Sequence, residues 1–335
     1  MKSNEKVLLV GGAGYVGTVI CRALVDKGYN VRCADNLIYD QAHGIQSLLA
    51  EPRFEFRNFD IRARESMDSL MEGVSHLIIL AGLVGDPITK RYEDLSLDIN
   101  QRAMSSFIDQ VAEYRLNKLV FISTCSNYGL IGPDELADED FELRPLSLYA
   151  KSKVVIEQRL LSLAGSVNLC PVVLRFATAF GLSSRMRFDL TVNEFAREMT
   201  LGNPLEVYDP DTWRPYCHVK DFARLIEIVL EADTGLVRGE VFNAGGNNNN
   251  ATKRMLIELI GKSLPSANVR FRGKGSDPRN YRVNFNKVRD ILSFEPKYAI
   301  ADGISEIIAG VLSGQFFPNF NDPNFFGNYF IAEHK

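Results

Sequence analysis

Short aliphatic runs alternate with amphipathic stretches through the first half of the chain. Residues 6–10 (KVLLV) form an apolar run of strand length, followed by a glycine turn and an amphipathic helical pattern over 15–27 that Gly28 closes. NVRCAD (30–35), FEFRNFD, SHLIILAG and NKLVFIST continue the strand series, with helical patterns over 65–71 and 91–114 between them. A helix over 148–163 and a strand over 170–176 (CPVVLRF) follow. Strands alternating with helices require crossover connections, so the predicted fold is α/β with a doubly wound parallel sheet.

After Gly181 the rhythm breaks. Helices are predicted over 190–201, 219–231, 253–263, 287–292 and 303–312, and strands over 205–208, 239–246 and 268–272. A Pro-flanked loop is expected before 219, and Asn247–Asn250 reads as a solvated polar turn. Residues 1–180, rejoined by 217–246, are assigned to a nucleotide-binding domain. Residues 181–216 and 247–335 are assigned to a smaller, discontinuous mixed α/β substrate domain. The stretch 314–330 carries seven aromatics in seventeen residues and reads as an irregular extension pinned to the body by its rings, with no chemistry assigned.

Composition narrows the class. With 46% apolar and 24% charged residues, this is an ordinary globular chain, and a net charge of −4 without a basic block argues against nucleic acid or a membrane surface as partner. The five cysteines are scattered, with no metal-ligand spacing, so no metal is expected. Residues 1–14 pass from a short polar start into a strand without a signal-peptide pattern, and no apolar run spans a bilayer; a cytoplasmic protein with reduced thiols is expected.

GGAGYVG (Gly11–Gly17) lies directly after a strand and opens a helix, the context of a Rossmann dinucleotide site. Glycines allow the backbone to approach a pyrophosphate, and the helix N-terminus offers N–H groups and partial positive charge. Asp35 ends the second strand, where a carboxylate accepts from the adenosine ribose hydroxyls and repels a 2′-phosphate. No Arg occurs among Asn36, Leu37 and Ile38, so the cofactor expected is NAD. Asp60, ending the third strand, is placed either on the adenine amino group or as a strand-end cap.

YAKSK sets Tyr149 and Lys153 one helical turn apart on one face. A phenol with an ordinary pKa near 10 becomes a general base when an ammonium and a positive nicotinamide ring favour its anion. The strand NKLVFIST ends in hydroxyls at its C-terminal edge, where doubly wound sheets bind ligands.

The glycine motif, Asp35, Asp60-Ile61, STCSNYG and YAKSK, in this order and spacing, resemble the extended short-chain dehydrogenase/reductase family, the NAD-dependent epimerases and dehydratases of nucleotide sugars. The resemblance covers essentially the whole chain. It implies Tyr149 as base, Lys153 on the nicotinamide ribose and Thr124 as hydroxyl partner. The implied cofactor-binding set is Gly11, Gly14, Tyr15, Val16, Asp35, Asn36, Asp60, Ile61, Ala81, Tyr149 and Lys153. Asn100 matches an asparagine of structural role, and His218 is read the same way.

LRFATAFG resembles the family's LRxxNxxG, with Thr178 in place of Asn, and WRPYCHVKD resembles RDxxHVxD, in which the Arg, here Arg214, holds a diphosphate. The implied substrate-binding set is Thr178, Arg187, Asn193, Arg214 and Arg279, and the implied substrate is a nucleotide sugar. Arg185 and Arg187 either add positive charge near the diphosphate or sit in a solvated loop. Dehydratases of the family carry an acid after the Thr; Cys125 and Ser126 stand here, which disfavours dehydration.

Epimerase, C4 dehydrogenase and reductase all begin or end with the same Tyr-assisted hydride transfer. SSRMRFDLTVNEFA with WRPYCHVKDFARL resembles a subgroup of bacterial dehydrogenases that oxidise C4 of a GDP-activated heptose for capsule synthesis, so C4 oxidation is the expected reaction and 4-epimerisation its alternative. A NAD-sensing regulator on the same fold is the non-enzymatic alternative; retention of the Tyr/Lys pair argues against it. A homodimer is expected, with an apolar stripe of Val155, Ile156, Leu160 and Leu161 at its interface.

Overall fold

Continuous aliphatic runs make good strands only when both faces are covered, and the chain uses its apolar runs in that way. The computed structural model describes residues 5–63, 67–132, 134–165, 168–265, 267–273, 275, 279–314 and 326–331. Its strands are β1 (Lys6–Val10), β2 (Asn30–Asp35), β3 (Phe54–Asn58), β4 (Val74–Ile79), β5 (Lys118–Thr124), β6 (Pro171–Phe176), β7 (Thr178–Phe180), β8 (Leu205–Tyr208), β9 (Trp213–His218), β10 (Glu240–Ala244), β11 (Asn250–Thr252) and β12 (Val269–Arg272). Seven form one parallel sheet in the order β10-β6-β5-β4-β1-β2-β3. The order reverses between β1 and β4, the switch point at which such sheets bind ligands beyond their carboxyl edges.

Two aliphatic clusters cover this sheet, one bringing helices Tyr15–Asp26 and Val219–Glu231 against it, the other helices Met104–Val111 and Leu148–Leu161. A third cluster builds the smaller lobe from helices Thr191–Thr200, Lys253–Gly261 and Ile300–Leu312, around the small sheets β11-β9-β7 and β12-β8.

Four expectations are corrected. The segment before 219 is not a loop: β9 pairs with β7 and β11, with Pro215 opposite Asn250. Its Pro and Arg mask a strand pattern that only partners on both sides reveal. The helix expected over 91–114 is broken at Tyr92 (φ −124°, ψ 61°) and runs through a wider π-type turn over Asp98–Ala103 before Met104–Val111. Asn247–Asn250 is a turn with Asn247 and Asn248 exposed, but not merely a solvated one: Asn247 accepts from the Phe285 N–H at 2.9 Å, and Asn250 accepts from Val283 N–H and donates to its carbonyl, both at 2.9 Å. Within the expected dimer stripe, Ile156 and Leu160 are spent on the chain's own core, while Val155 remains 37% exposed.

The helix predicted over 65–71 begins, among the described residues, at Met67. Most of the aromatic stretch 314–330 lies outside the described residues; its end, 326–331, returns to the body.

Candidate active site

The turn after β1 is built on close approach. A Cβ on Gly11 (φ +86°) would lie 2.4 Å from the Ala81 nitrogen, and one on Gly17 would lie 2.7 Å from Gly12 Cα, so β1, the helix and the loop after β4 close up only around glycine. Gly14 caps helix Tyr15–Asp26 without a side chain, which leaves the first-turn N–H groups to an anion. Asp35 is held by three donors: Ala13 N–H at 3.0 Å, Leu37 N–H at 2.9 Å and the Gln41 amide at 3.2 Å. Burial raises its pKa; the Leu37 and Ala13 N–H groups oppose this. Asp60 accepts from Asn36 at 2.9 Å and from Arg62; burial works against its charge, yet these donors outweigh it and hold the pKa at about 2. A bare helix terminus, a glycine cradle and an oriented strand-end carboxylate together fit NAD.

Ser147 starts the helix that carries the Tyr/Lys pair by accepting the Ala150 N–H at 3.2 Å. One turn apart on it stand Tyr149 and Lys153, whose ammonium lies 5.8 Å from the Tyr149 ring centroid and donates to the Ile122 carbonyl at 2.8 Å. Burial lowers the Lys153 pKa to about 8, against the pull of Glu157. Burial also raises the Tyr149 phenol, with Arg187 opposing. Burial thus disfavours the charged form of both groups. Thr124 ends β5, and its Oγ1 accepts the Ser126 N–H at 3.1 Å, leaving its own O–H to donate elsewhere.

The same helix carries Glu157, which sequence reasoning missed. Glu157 and Arg175 are 1% and 4% exposed; they pair at 2.9 Å, and Glu157 also accepts from Ser123 and Asn127. This pair ties the Tyr149–Lys153 helix to β5 and β6. The signal was present, since Glu157 follows Lys153 by one helical turn and Arg175 is a lone charge in an aliphatic strand.

One cavity of about 920 Å³ joins the glycine turn, Val16, Asp35, Asn36, Asp60, Ile61 and Ala81 to Thr124, Tyr149 and Lys153, and continues to Thr178, Arg187, Arg214 and Arg279. Tyr15 lines it too, but its side chain serves the smaller lobe: the phenol donates to the Gly181 carbonyl at 2.7 Å and accepts from Asn193 at 3.0 Å. Asn193 is corrected. It is fully buried and away from the cavity wall, and its amide accepts from Gly181 N–H and donates to the Arg187 carbonyl and Tyr15, so it is a structural tie.

The arginines are not solvated. Arg185 and Arg187 are 2% and 7% exposed, and Asp189 accepts twice from Arg187 at 2.6 Å. Arg214 lies 5.0 Å from the Tyr281 ring centroid and donates to the Trp213 carbonyl. Arg279 pairs with Asp86 at 2.9 Å. Asn100 bonds the Leu83 N–H and carbonyl, and His218 accepts the Lys220 N–H on Nδ1, so its Nε2 carries the proton to Glu306 at 2.7 Å; both act structurally. Cys125 is buried, and burial pushes its thiol pKa up, while the Ser126 hydroxyl is 3.1 Å from that of Tyr281; neither is an acid. No helix among the described residues is long and apolar enough to cross a membrane.

Known proteins resemble this chain along most of its length. The chain is 26% identical over 322 residues to a UDP-glucose 4-epimerase of Rhizobium meliloti (89% of this chain, 94% of that protein), and 26% identical over 314 residues to an uncharacterised UDP-glucose epimerase of Bacillus subtilis (91% and 97%). The crystal structure of the UDP-glucuronic acid 4-epimerase from Bacillus cereus, in complex with UDP-glucuronic acid and NAD, superposes with a TM-score of 0.83 at 25% identity over 92% of this chain and 99% of that one. The model of the NAD dependent epimerase/dehydratase family matches residues 7–245, and this NAD-binding chain belongs to that family.

Proposed function

We propose that this enzyme is a NAD-dependent nucleotide-sugar 4-epimerase, which withdraws hydride from C4 and returns it to the opposite face. The observation that carries the reading is the single cavity in which Tyr149, Lys153 and Thr124 share a wall with Arg187, Arg214 and Arg279. The arginines suit a diphosphate, and the Tyr–Lys–Thr group suits a sugar hydroxyl. The similarity to 4-epimerases of UDP-sugars supports the same assignment and takes precedence over the C4 dehydrogenase expected from the sequence.

When bound, NAD supplies the hydride acceptor and a positive ring. Thr124 donates its hydroxyl hydrogen to the C4 oxygen and orients it. Tyr149, as its anion, takes the C4 hydroxyl proton and later returns it, while the Lys153 ammonium steadies that anion. Arg214 keeps the diphosphate in place while the 4-keto sugar turns its other face.

A second reading is oxidation that stops at the 4-ketose, on a GDP-activated heptose in capsule synthesis. It rests on SSRMRFDLTVNEFA, whose Arg185 and Arg187 are buried at the cavity. Incubation with a panel of UDP- and GDP-sugars, following both NADH absorbance and product identity, separates the two. A C4-inverted sugar without net NADH supports epimerisation; about one equivalent of ketose and NADH per site, renewed by a keto-acid oxidant, replaces it with dehydrogenation. Tyr149→Phe should abolish either reaction while leaving NAD binding intact. Assembly as a homodimer in the cytoplasm belongs to the same proposal, and light scattering at micromolar concentration tests the dimer.

A further inference from the structure

Residues 326–331 include none of the groups assigned to hydride transfer, yet they are fastened across the site. The Phe326 carbonyl accepts the Phe188 N–H at 2.7 Å, and the two rings meet edge to face at 5.2 Å. The buried Arg185 donates to the Gly327 carbonyl at 3.1 Å and to Asn328 Oδ1 at 2.8 Å. Asn328 then donates to the Val84 carbonyl at 3.3 Å, the Arg91 guanidinium lies 4.5 Å from the Phe330 ring centroid, and Ile331 packs on the cluster of Ile38, Leu83, Ile88 and Ile99. Residues 326–331 thus begin on the smaller lobe and end on the nucleotide-binding lobe, and between those anchors Asn328 and Tyr329 line the cavity that also holds Gly11, Gly14 and Asp35.

A segment tied to both lobes beside a shared cavity resists their separation. Detaching it strips Arg185 of two acceptors in a buried setting, which makes detachment slow rather than free. Such a barrier acts on departure of a ligand more than on its arrival. We propose that residues 326–331 are part of the cofactor site, with Asn328 as a positioning residue: this strap must detach before NAD(H) leaves, so its fastening sets the rate of release. The inference rests on NAD binding alone and is independent of where the hydride is returned.

The test is NADH release from the full-length protein, loaded with NADH and chased with excess NAD while the fluorescence of bound NADH is followed. Asn328→Ala and Phe330→Ala should each release NADH faster, by roughly ten-fold for the loss of a charge-assisted hydrogen bond or a packed ring–cation contact. Asn328→Asp keeps an oxygen for Arg185 but cannot donate to the Val84 carbonyl, so its release should be faster than the parent's and slower than that of Asn328→Ala. Phe330 is 42% exposed, so its truncation leaves a folded protein even if Asn328→Ala does not fold. Unchanged release from a folded Phe330→Ala overturns the proposal. So does equal acceleration by Leu292→Ala, a core truncation outside the strap that lowers the thermal midpoint to the same extent.

Discussion

Lys153 donates to the carbonyl of Ile122 across 2.8 Å, so the ammonium on helix Leu148–Leu161 is anchored on the strand that ends in Thr124. That anchorage holds a charge in a buried place, and burial brings its pKa down to about 8. An unfolded lysine titrates near 10.4. Below about pH 8 both states hold the proton and the buried charge weighs on the fold. Between about 8 and 10 only the unfolded chain holds it, so stability rises with pH, by at most about 1.4 kcal/mol per unit. Urea midpoints of the cofactor-free protein should rise across this window relative to those of Lys153→Met; parallel curves would remove the assignment.

Asp35 is already oriented by Ala13, Leu37 and Gln41, so no rearrangement is needed to receive a ribose. NAD should bind at least about ten-fold more tightly than NADP, by repulsion of the 2′-phosphate and the loss of ribose hydrogen bonds. Asp35→Ala should narrow that ratio, chiefly by weakening NAD. Titration by protein fluorescence checks it, and equal affinities in the parent protein would refute the role.

Arg214 is 7% exposed and lines the cavity beside Tyr281. Arg214→Ala should weaken nucleotide-sugar binding by roughly 2–5 kcal/mol, the range for truncating one partner of a buried charge pair, and leave NAD binding unchanged. Calorimetry with each ligand separates the two effects. A variant losing both affinities equally points to a collapsed lobe instead.

Glu157 and Arg175 are a buried pair, so removing one partner strands the other. Arg175→Met should cost about 3–5 kcal/mol of folding stability, and the double variant with Glu157→Leu should recover part of it. Denaturant unfolding measures both. If the double variant is the less stable by the sum of the two single losses, the residues do not act as a pair.

The local signals were legible wherever chemistry and geometry are both local. The run 6–10, the glycines after it and Asp35 specify a strand, a tight turn and a carboxylate at a strand end, because each depends on neighbours a few residues away. Tyr149 and Lys153 share a face for the same reason: helical periodicity places them one turn apart. NAD followed from the glycines and Asp35; the nucleotide-sugar class was implied only by the family resemblance that these motifs carry together with LRFATAFG and WRPYCHVKD.

Tertiary structure alone decided matters that turn on distant partners. Asn193 and Arg187 look alike as polar residues of one segment, but folding buries the first between Tyr15 and Gly181 and leaves the second on the cavity wall. Trp213–His218 becomes a strand only because β7 and β11 flank it, and Glu157 finds Arg175 on a separate strand. Residues 326–331 acquire their place through Arg185, 143 residues away from Asn328, across a gap that no local pattern spans. Hydrophobic and glycine patterns act over one or two turns of backbone, whereas a buried polar group takes whichever partner the packed fold brings to it.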